Sequence, residues 1–276
     1  MAGACHPGSI AVRIATWNVN SLRIREPMLA RFVQHYRPDV LCLQETKVED
    51  ALFPHGIVRG LGFKHSLFTG EKSYNGVAIL SKVPLKEVGR FDLIGNGQKR
   101  HIAAELPGGI QLHNFYVPAG GDVPDPVQNP KFDEKLRFIA AMQDWSKRDV
   151  QAKQPVIILG DFNIAPLEQD VWSSRQLRDV VSHTAVEREA LQALQALSGG
   201  WIDAMREFVP PQEKLYSWWS YRNRDWNASN RGRRLDHLWV TPALKDALVS
   251  GQIVREARGY DTPSDHVPVM VELRLN

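Results

Sequence analysis

Carboxylates, amides, one phenol and one imidazole stand where apolar runs of this 276-residue chain begin or break off. Asn18 ends RIATWN, Glu45 follows VLCLQ, Tyr116 ends IQLHNFY, and Asp161 and Asn163 follow VIILG. Asp236 precedes HLWV, and Asp265 and His266 precede VPVMVEL. If those ends converge, they form a cluster suited to a hard divalent cation. Magnesium prefers oxygen ligands, needs only one or two carboxylates, and takes waters or phosphate oxygens besides. The remaining groups could orient a water and stabilise charge on phosphorus. Zinc fits less well, because nine histidines show no HExxH and two cysteines no CxxC. A P-loop and a GxSxG nucleophile elbow are also missing. Each residue has a plainer reading too. Asp161 and Asn163 suit a turn after a strand, Asp265 a cap, and His266 a satisfied core histidine. Glu45 resists that reading, since the run before it is strongly apolar and a nearby glutamate needs a partner.

Short runs rich in Val and Ile, bounded by turn residues, must carry these groups. They are Arg13–Val19, Val40–Leu43, Gly76–Leu80, Ile110–Val117, Val156–Leu159, His237–Thr241 and Val267–Leu273. Between them Leu29, Phe32, Val33 and Tyr36 follow helical spacing, with Pro27 near the start. Phe132, Leu136 and Ile139 make a second stripe after Pro130, and Glu187–Leu197 a third helix stopped by Gly199 and Gly200. Gly76–Leu80 and His101–Leu106 have no helix between them, so the sheets are expected to be mixed or antiparallel. The pattern predicts one α/β domain with sheets inside and helices outside.

Composition is that of an ordinary globular chain, 43% hydrophobic and 24% charged. No apolar run approaches the ~20 residues of a membrane span, and MAGACHPGSI lacks the pattern of a signal peptide. Residues 1–10 are therefore expected to be a flexible tail, residues 11–276 the domain, and the location cytoplasmic. Cys5 and Cys42 do not suggest a disulfide framework. Net charge is only +3, too weak alone to imply nucleic acid. Its distribution says more. YRNRDWNASNRGRR, Tyr221 to Arg234, sets five arginines against one aspartate, just after Tyr216, Trp218 and Trp219. That stretch is either a solvated loop or a surface that grips phosphates and stacks on bases.

Eight motifs in order then resemble one family. They are WNVNSLR (17–23), LQETK (43–47), NGVAILSK (75–82), FYVPAGG (115–121), GDFNIA (160–165), SWWSYR (217–222), RRLDHL (233–238) and SDHVPV (264–269). The chain resembles the exonuclease III/apurinic-apyrimidinic endonuclease family from about Ile14 to Leu273. The resemblance implies a four-layered α/β sandwich, deoxyribonuclease I-like, with two mixed, mainly antiparallel sheets packed face to face and helices outside. It implies a monomer without membrane contact, acting on double-stranded DNA with abasic sites or 3′ ends. Activated water would cleave phosphodiesters with Mg2+ or Mn2+ and leave a 3′-hydroxyl.

Carried over residue by residue, Glu45 holds the metal, with Asn18, Asp161, Asn163, Asp265 and His266 completing its surroundings. Asp161 deprotonates the attacking water, although the Asp236–His266 pair is the other candidate base. Asn163 positions that water. His266, oriented by Asp236, bonds the scissile phosphate. Tyr116 donates to the phosphate or assists the leaving oxygen. Lys47 faces the DNA and Trp218 walls an abasic pocket, while the arginine-rich stretch itself suggests Arg222, Arg224 and Arg233 as further DNA contacts. Two positions depart from the family. Ala119 stands where members usually carry asparagine or glutamine, and Arg233 where the animal enzymes have tryptophan. The wider superfamily includes phosphatases and a non-catalytic RNA-binding regulator. The arginine-aromatic segment argues against the first, and the full set of chemical residues against the second.

Overall fold

The structure is a computed structural model that describes residues 10–275. The tail expected over residues 1–10 lies outside the described residues except for Ile10, which opens the first strand. Among the described residues twelve strands form two six-stranded sheets. The first holds β1 (Ile10–Asn18), β2 (Val40–Gln44), β3 (His65–Glu71), β4 (Tyr74–Ser81), β11 (Leu248–Ile253) and β12 (Val269–Leu275), in the order β11-β12-β1-β2-β4-β3. The second holds β5 (Lys86–Gly89), β6 (His101–Leu106), β7 (Ile110–Tyr116), β8 (Val156–Asp161), β9 (Ile202–Asp203) and β10 (Asp236–Val240), in the order β5-β6-β7-β8-β10-β9.

Each sheet contains one parallel pair among antiparallel neighbours: β1 with β2, and β7 with β8. A parallel pair needs a crossover. Here the helices Glu26–Tyr36 and Pro130–Asp149 supply the two crossovers. Both pairs end at functional candidates. Asn18 stands opposite Gln44, one residue before Glu45, and Tyr116 stands opposite Asp161. Asp236 enters β10 directly across from Asp161.

Alternation along the strands makes the layers. Val12, Ile14, Val40, Cys42, Ile79, Ile102, Leu112, Ile157 and Leu238 meet between the sheets in one core. The intervening Ala15, Trp17, Leu41 and Leu43 pack on Leu29, Phe32 and Val33 of the first crossover helix. On the opposite side Phe115, Ile158 and Trp239 pack on Phe138, Ile139 and Met142, and on Leu191 and Leu194 of the helix Ala185–Gln195. Helix, sheet, sheet and helix are the four layers expected. Central strands covered on both faces read as continuous apolar runs, which is why β2 and β8 are conspicuous in the sequence. The edge strands β3, β5 and β11 are largely half-buried or exposed, lack such runs, and were not anticipated. In the second crossover helix Leu136 is only half-buried, while Lys135 is fully buried. The third helix begins at Ala185 rather than Glu187, because Thr184 and Glu187 form a capping box. No described helix is long and apolar enough to cross a membrane.

Candidate active site

The ends of the parallel pairs from both sheets meet at one place. The Asn18 amide on β1 links the two halves, donating from Nδ2 to Glu45 Oε1 at 2.9 Å and to Asp161 Oδ2 at 2.9 Å. Its oxygen accepts from the Asn20 N–H, so as arranged Asn18 holds two carboxylates by their oxygens. Glu45 also accepts from the Tyr116 hydroxyl at 2.8 Å and pairs with Lys47 Nζ at 2.8 Å. Lys47 reaches on to Asn20 Oδ1 at 2.6 Å. Asp161 accepts the Asn163 N–H at 2.9 Å and the Asn163 amide at 3.2 Å. His266 Nδ1 bonds Asp236 Oδ2 at 2.8 Å, while its Nε2 faces Asp161 Oδ2 at 3.7 Å. Ser217 donates to that same Asp236 oxygen at 2.6 Å. Asp265 accepts from Trp218 Nε1 at 3.0 Å.

Local backbone explains why these residues sit where they do. Glu45, Lys47 and Asn163 adopt left-handed conformations with φ of 51°, 52° and 54°, which is uncommon for non-glycine residues and costly for Glu and Lys. The twist turns each side chain out of its strand end. A Cβ on Gly160 would lie 1.9 Å from the Phe115 carbonyl oxygen, so β8 approaches β7 this closely only because GDFN begins with glycine.

The electrostatics divide the cluster. Burial pushes the Glu45 carboxyl up, but Lys47 and the hydrogen bonds from Asn18 and Tyr116 outweigh it and hold the group below its ordinary range. For Asp161 burial dominates and raises the carboxyl to about 7, against the pull of His266. Burial disfavours the imidazolium of His266, yet Asp236 and Asp161 together raise it well above the usual histidine value. Tyr116 is raised by burial, Glu45 and Asp161, so it stays a neutral phenol and donates. One nitrogen, Asn18 Nδ2, touches oxygens of both Glu45 and Asp161, and this oxygen-rich pair suits a hard cation. A second grouping, Asp161, Asp236 and His266, brings ligand atoms within 4.8 Å of one another.

Above the cluster lies a cleft of about 820 Å³. Glu45, Tyr116, Asn163, Asp265 and His266 line its floor, and Trp218, Arg222 and Arg233 its wall, with Ala119 at the rim. Lys47 lines an adjoining groove that shares Glu45 and Tyr116. Arg224 is exposed on the turn beyond and lines no described cleft. Trp218 is half-buried, whereas its neighbour Trp219 is core. The Arg233 guanidinium lies 5.3 Å over the Trp218 ring and donates to Val181 O and Ser182 Oγ. Sequence reasoning missed two groups here. Arg231 lines the cleft and stacks on Trp172. Ser217 fixes Asp236, and its place at the head of SWWSYR was the available signal.

Known proteins are similar to the chain over nearly all of it. The profile of the Endonuclease/Exonuclease/phosphatase family matches residues 15–266. Exodeoxyribonuclease III of Haemophilus influenzae is 33% identical over 274 residues, 95% of this chain and 100% of that one. The structure of an AP endonuclease from Archaeoglobus fulgidus superposes with a TM-score of 0.86 at 31% identity, covering 94% of this chain and 98% of the other. A 3′ phosphatase from Neisseria bound to product DNA hairpin superposes at 0.84 with 33% identity, covering 95% and 99%.

Proposed function

Because the chain belongs to the Endonuclease/Exonuclease/phosphatase family, we propose that it is a divalent-metal-dependent DNA repair nuclease. It removes nucleotides from 3′ ends of duplex DNA and incises 5′ to abasic sites, leaving a 3′-hydroxyl. Residues 11–276 act as a single catalytic domain, as a monomer in the cytoplasm. The observation that carries this reading is the meeting of two carboxylates of opposite electrostatic character under one cleft walled by arginines and a tryptophan. The cationic and aromatic wall favours a DNA strand over a small phosphorylated ligand.

Glu45 and Asp161 would hold Mg2+ or Mn2+, with Asp265 and His266 close by. The bound ion supplies positive charge to the phosphate oxygens. Asp161, raised toward neutrality, accepts the proton of the attacking water, since a base works best with a pKa near the working pH. Asn163 orients that water from beside Asp161. His266, charged and held by Asp236, donates from Nε2 to the scissile phosphate. Tyr116 keeps its proton and offers it to the phosphate or the leaving oxygen. Lys47, Arg222 and Arg233 contact the backbone, and Trp218 faces the sugar at the cut site.

A gel assay tests this directly. Abasic duplex should be nicked and blunt duplex shortened from its 3′ ends with Mg2+, and both activities should vanish in EDTA. Full activity of metal-stripped protein in EDTA would sink the metal role, and inertness towards both duplexes would sink the nuclease reading.

A further inference from the structure

Four successive carbonyls follow Asp161 and Phe162 in a loop that belongs to neither sheet nor helix, and each is held by a nitrogen from a different side chain. Lys135 Nζ donates to Asn163 O at 2.8 Å. His237 Nε2 bonds Ile164 O at 2.8 Å, and His183 Nδ1 bonds Ala165 O at 2.7 Å. Arg188 Nε donates to Pro166 O at 3.0 Å. A carbonyl oxygen only accepts, so both imidazoles must carry their proton on the nitrogen that faces the loop. His183 then accepts at Nε2 from the Ser174 hydroxyl, 2.9 Å away.

Lys135 is the centre of this arrangement. It is fully buried and paired with Glu187, itself fully buried. It also donates to Ala119 O at 3.3 Å, tying the loop after β7 to the loop after β8. Glu187 in turn accepts the N–H of Ser182 at 2.9 Å and that of Thr184 at 3.1 Å, and the Thr184 hydroxyl at 2.6 Å. That fixes the segment to which Arg233 is bonded. A buried ion pair is a poor stabilising device compared with apolar packing. Burial indeed pushes the Lys135 ammonium down, with Glu187 opposing it. Neither residue lines the cleft, yet beyond their own pair their side chains bond only to loops that do.

We infer that Lys135 and Glu187 are positioning residues for the cleaving site: their pair, with His237, His183 and Arg188, sets the left-handed Asn163 and the two flanking loops in the working geometry. This rests on the nuclease reading above. Rigid support of a reacting constellation is worth large factors in rate, and Asn163 has an uncommon backbone that needs such support.

The double substitution Lys135→Met/Glu187→Gln removes both charges together, which avoids an unpaired buried ion. Measured on abasic duplex with Mg2+ and well below its melting temperature, it should lower kcat by about tenfold or more, with KM for DNA within about twofold. A folded variant with parental kcat overturns the positioning role. A merely structural pair would lower the melting temperature and leave the kcat of the folded protein alone. Should the double variant fail to fold, His237 decides. His237→Gln keeps a donor at the same reach and should restore most of the kcat that His237→Leu loses. Equal losses from both would overturn the inference. The parent, assayed alongside, separates the two readings: an inactive parent defeats the nuclease reading, while an active parent with unimpaired variants defeats only the positioning one.

Discussion

Glu45 and Asp161 occupy equivalent places in the two halves of the molecule, at the carboxyl ends of the parallel pair in each sheet, and one Asn18 amide touches both. Their environments push them apart. Glu45 is partly buried beside Lys47 and stays ionised. Asp161 is buried against Asp236 and His266 and is raised to about 7. Two carboxylates with diverging pKa values mark two different jobs. The first is a permanent anion suited to holding a cation. The second can exchange a proton near neutral pH. Topology alone does not distinguish them. Lys47 does it on one sheet, and depth of burial does it on the other.

The largest break in that comparison comes from Asp161→Asn, which keeps the shape and removes the proton acceptor. A general base typically contributes ~10²–10⁴-fold, so kcat should fall by about that much while DNA binding persists. Single-turnover cleavage beside a binding isotherm checks it, and near-parental turnover would make Asp161 a structural residue. Glu45→Gln should act differently. It should raise the metal concentration for half-maximal rate by roughly 10–100-fold, with much of the rate recovered at saturating Mg2+. A Mg2+ titration that overlays the parent's would remove Glu45 from the metal site.

pH should sharpen the same contrast. Asp161 is protonated below about 7 and ionised above it, so kcat at low Mg2+ should fall close to tenfold per unit as pH drops below that value. A nearby cation favours the carboxylate, so raising Mg2+ should move this limb to lower pH. Glu45, already held low, should leave no limb in that range. The rate profile of Asp161→Asn should therefore lose the limb, while that of Glu45→Gln keeps it.

How far the sequence disclosed all this differs between the halves of the site. β2 and β8 are covered on both faces, so their apolar runs announced them and the polar residue at each end stood out. Eight ordered motifs supplied the roles. What could not be read was three-dimensional satisfaction. Asn18 was expected near the metal, and the sequence could not show that its amide hydrogens bridge two carboxylates. Lys135 carried no sequence signal of its buried place, because nothing nearby in sequence reveals Glu187, 52 positions later. The stretch Tyr221 to Arg234 read as one arginine-rich surface, and the structure sorts its members. Arg234 is fully buried on Asp170 and Asp203. Arg231 stacks on Trp172 and Arg233 on Trp218. Equal charge in sequence has become ion pair, cation–π stack and cleft wall.

The smallest effect separates two exposed arginines of that stretch, Arg222 in the cleft and Arg224 beyond it. The sequence placed both on DNA. The structure gives Arg222 a place on the wall beside Trp218 and gives Arg224 none. A phosphate-contacting arginine releases counterions, and each contact adds about 0.9 to the slope of log affinity against log salt on duplex DNA. Arg222→Ala should therefore flatten the salt dependence by close to one contact and weaken abasic and intact duplex alike. Arg224→Ala should weaken both only slightly, through the general field, with a slope within error of the parent. Fluorescence anisotropy of the parent and both variants on both duplexes, from low to moderate salt, gives the six slopes needed. If Arg224→Ala flattens the slope as much as Arg222→Ala, the strand runs on past the cleft wall over the turn at Arg224. The footprint would then be longer than the cleft alone defines. If neither changes the slope, phosphate grip lies elsewhere, and Lys47 beside Glu45 is the cation to replace next.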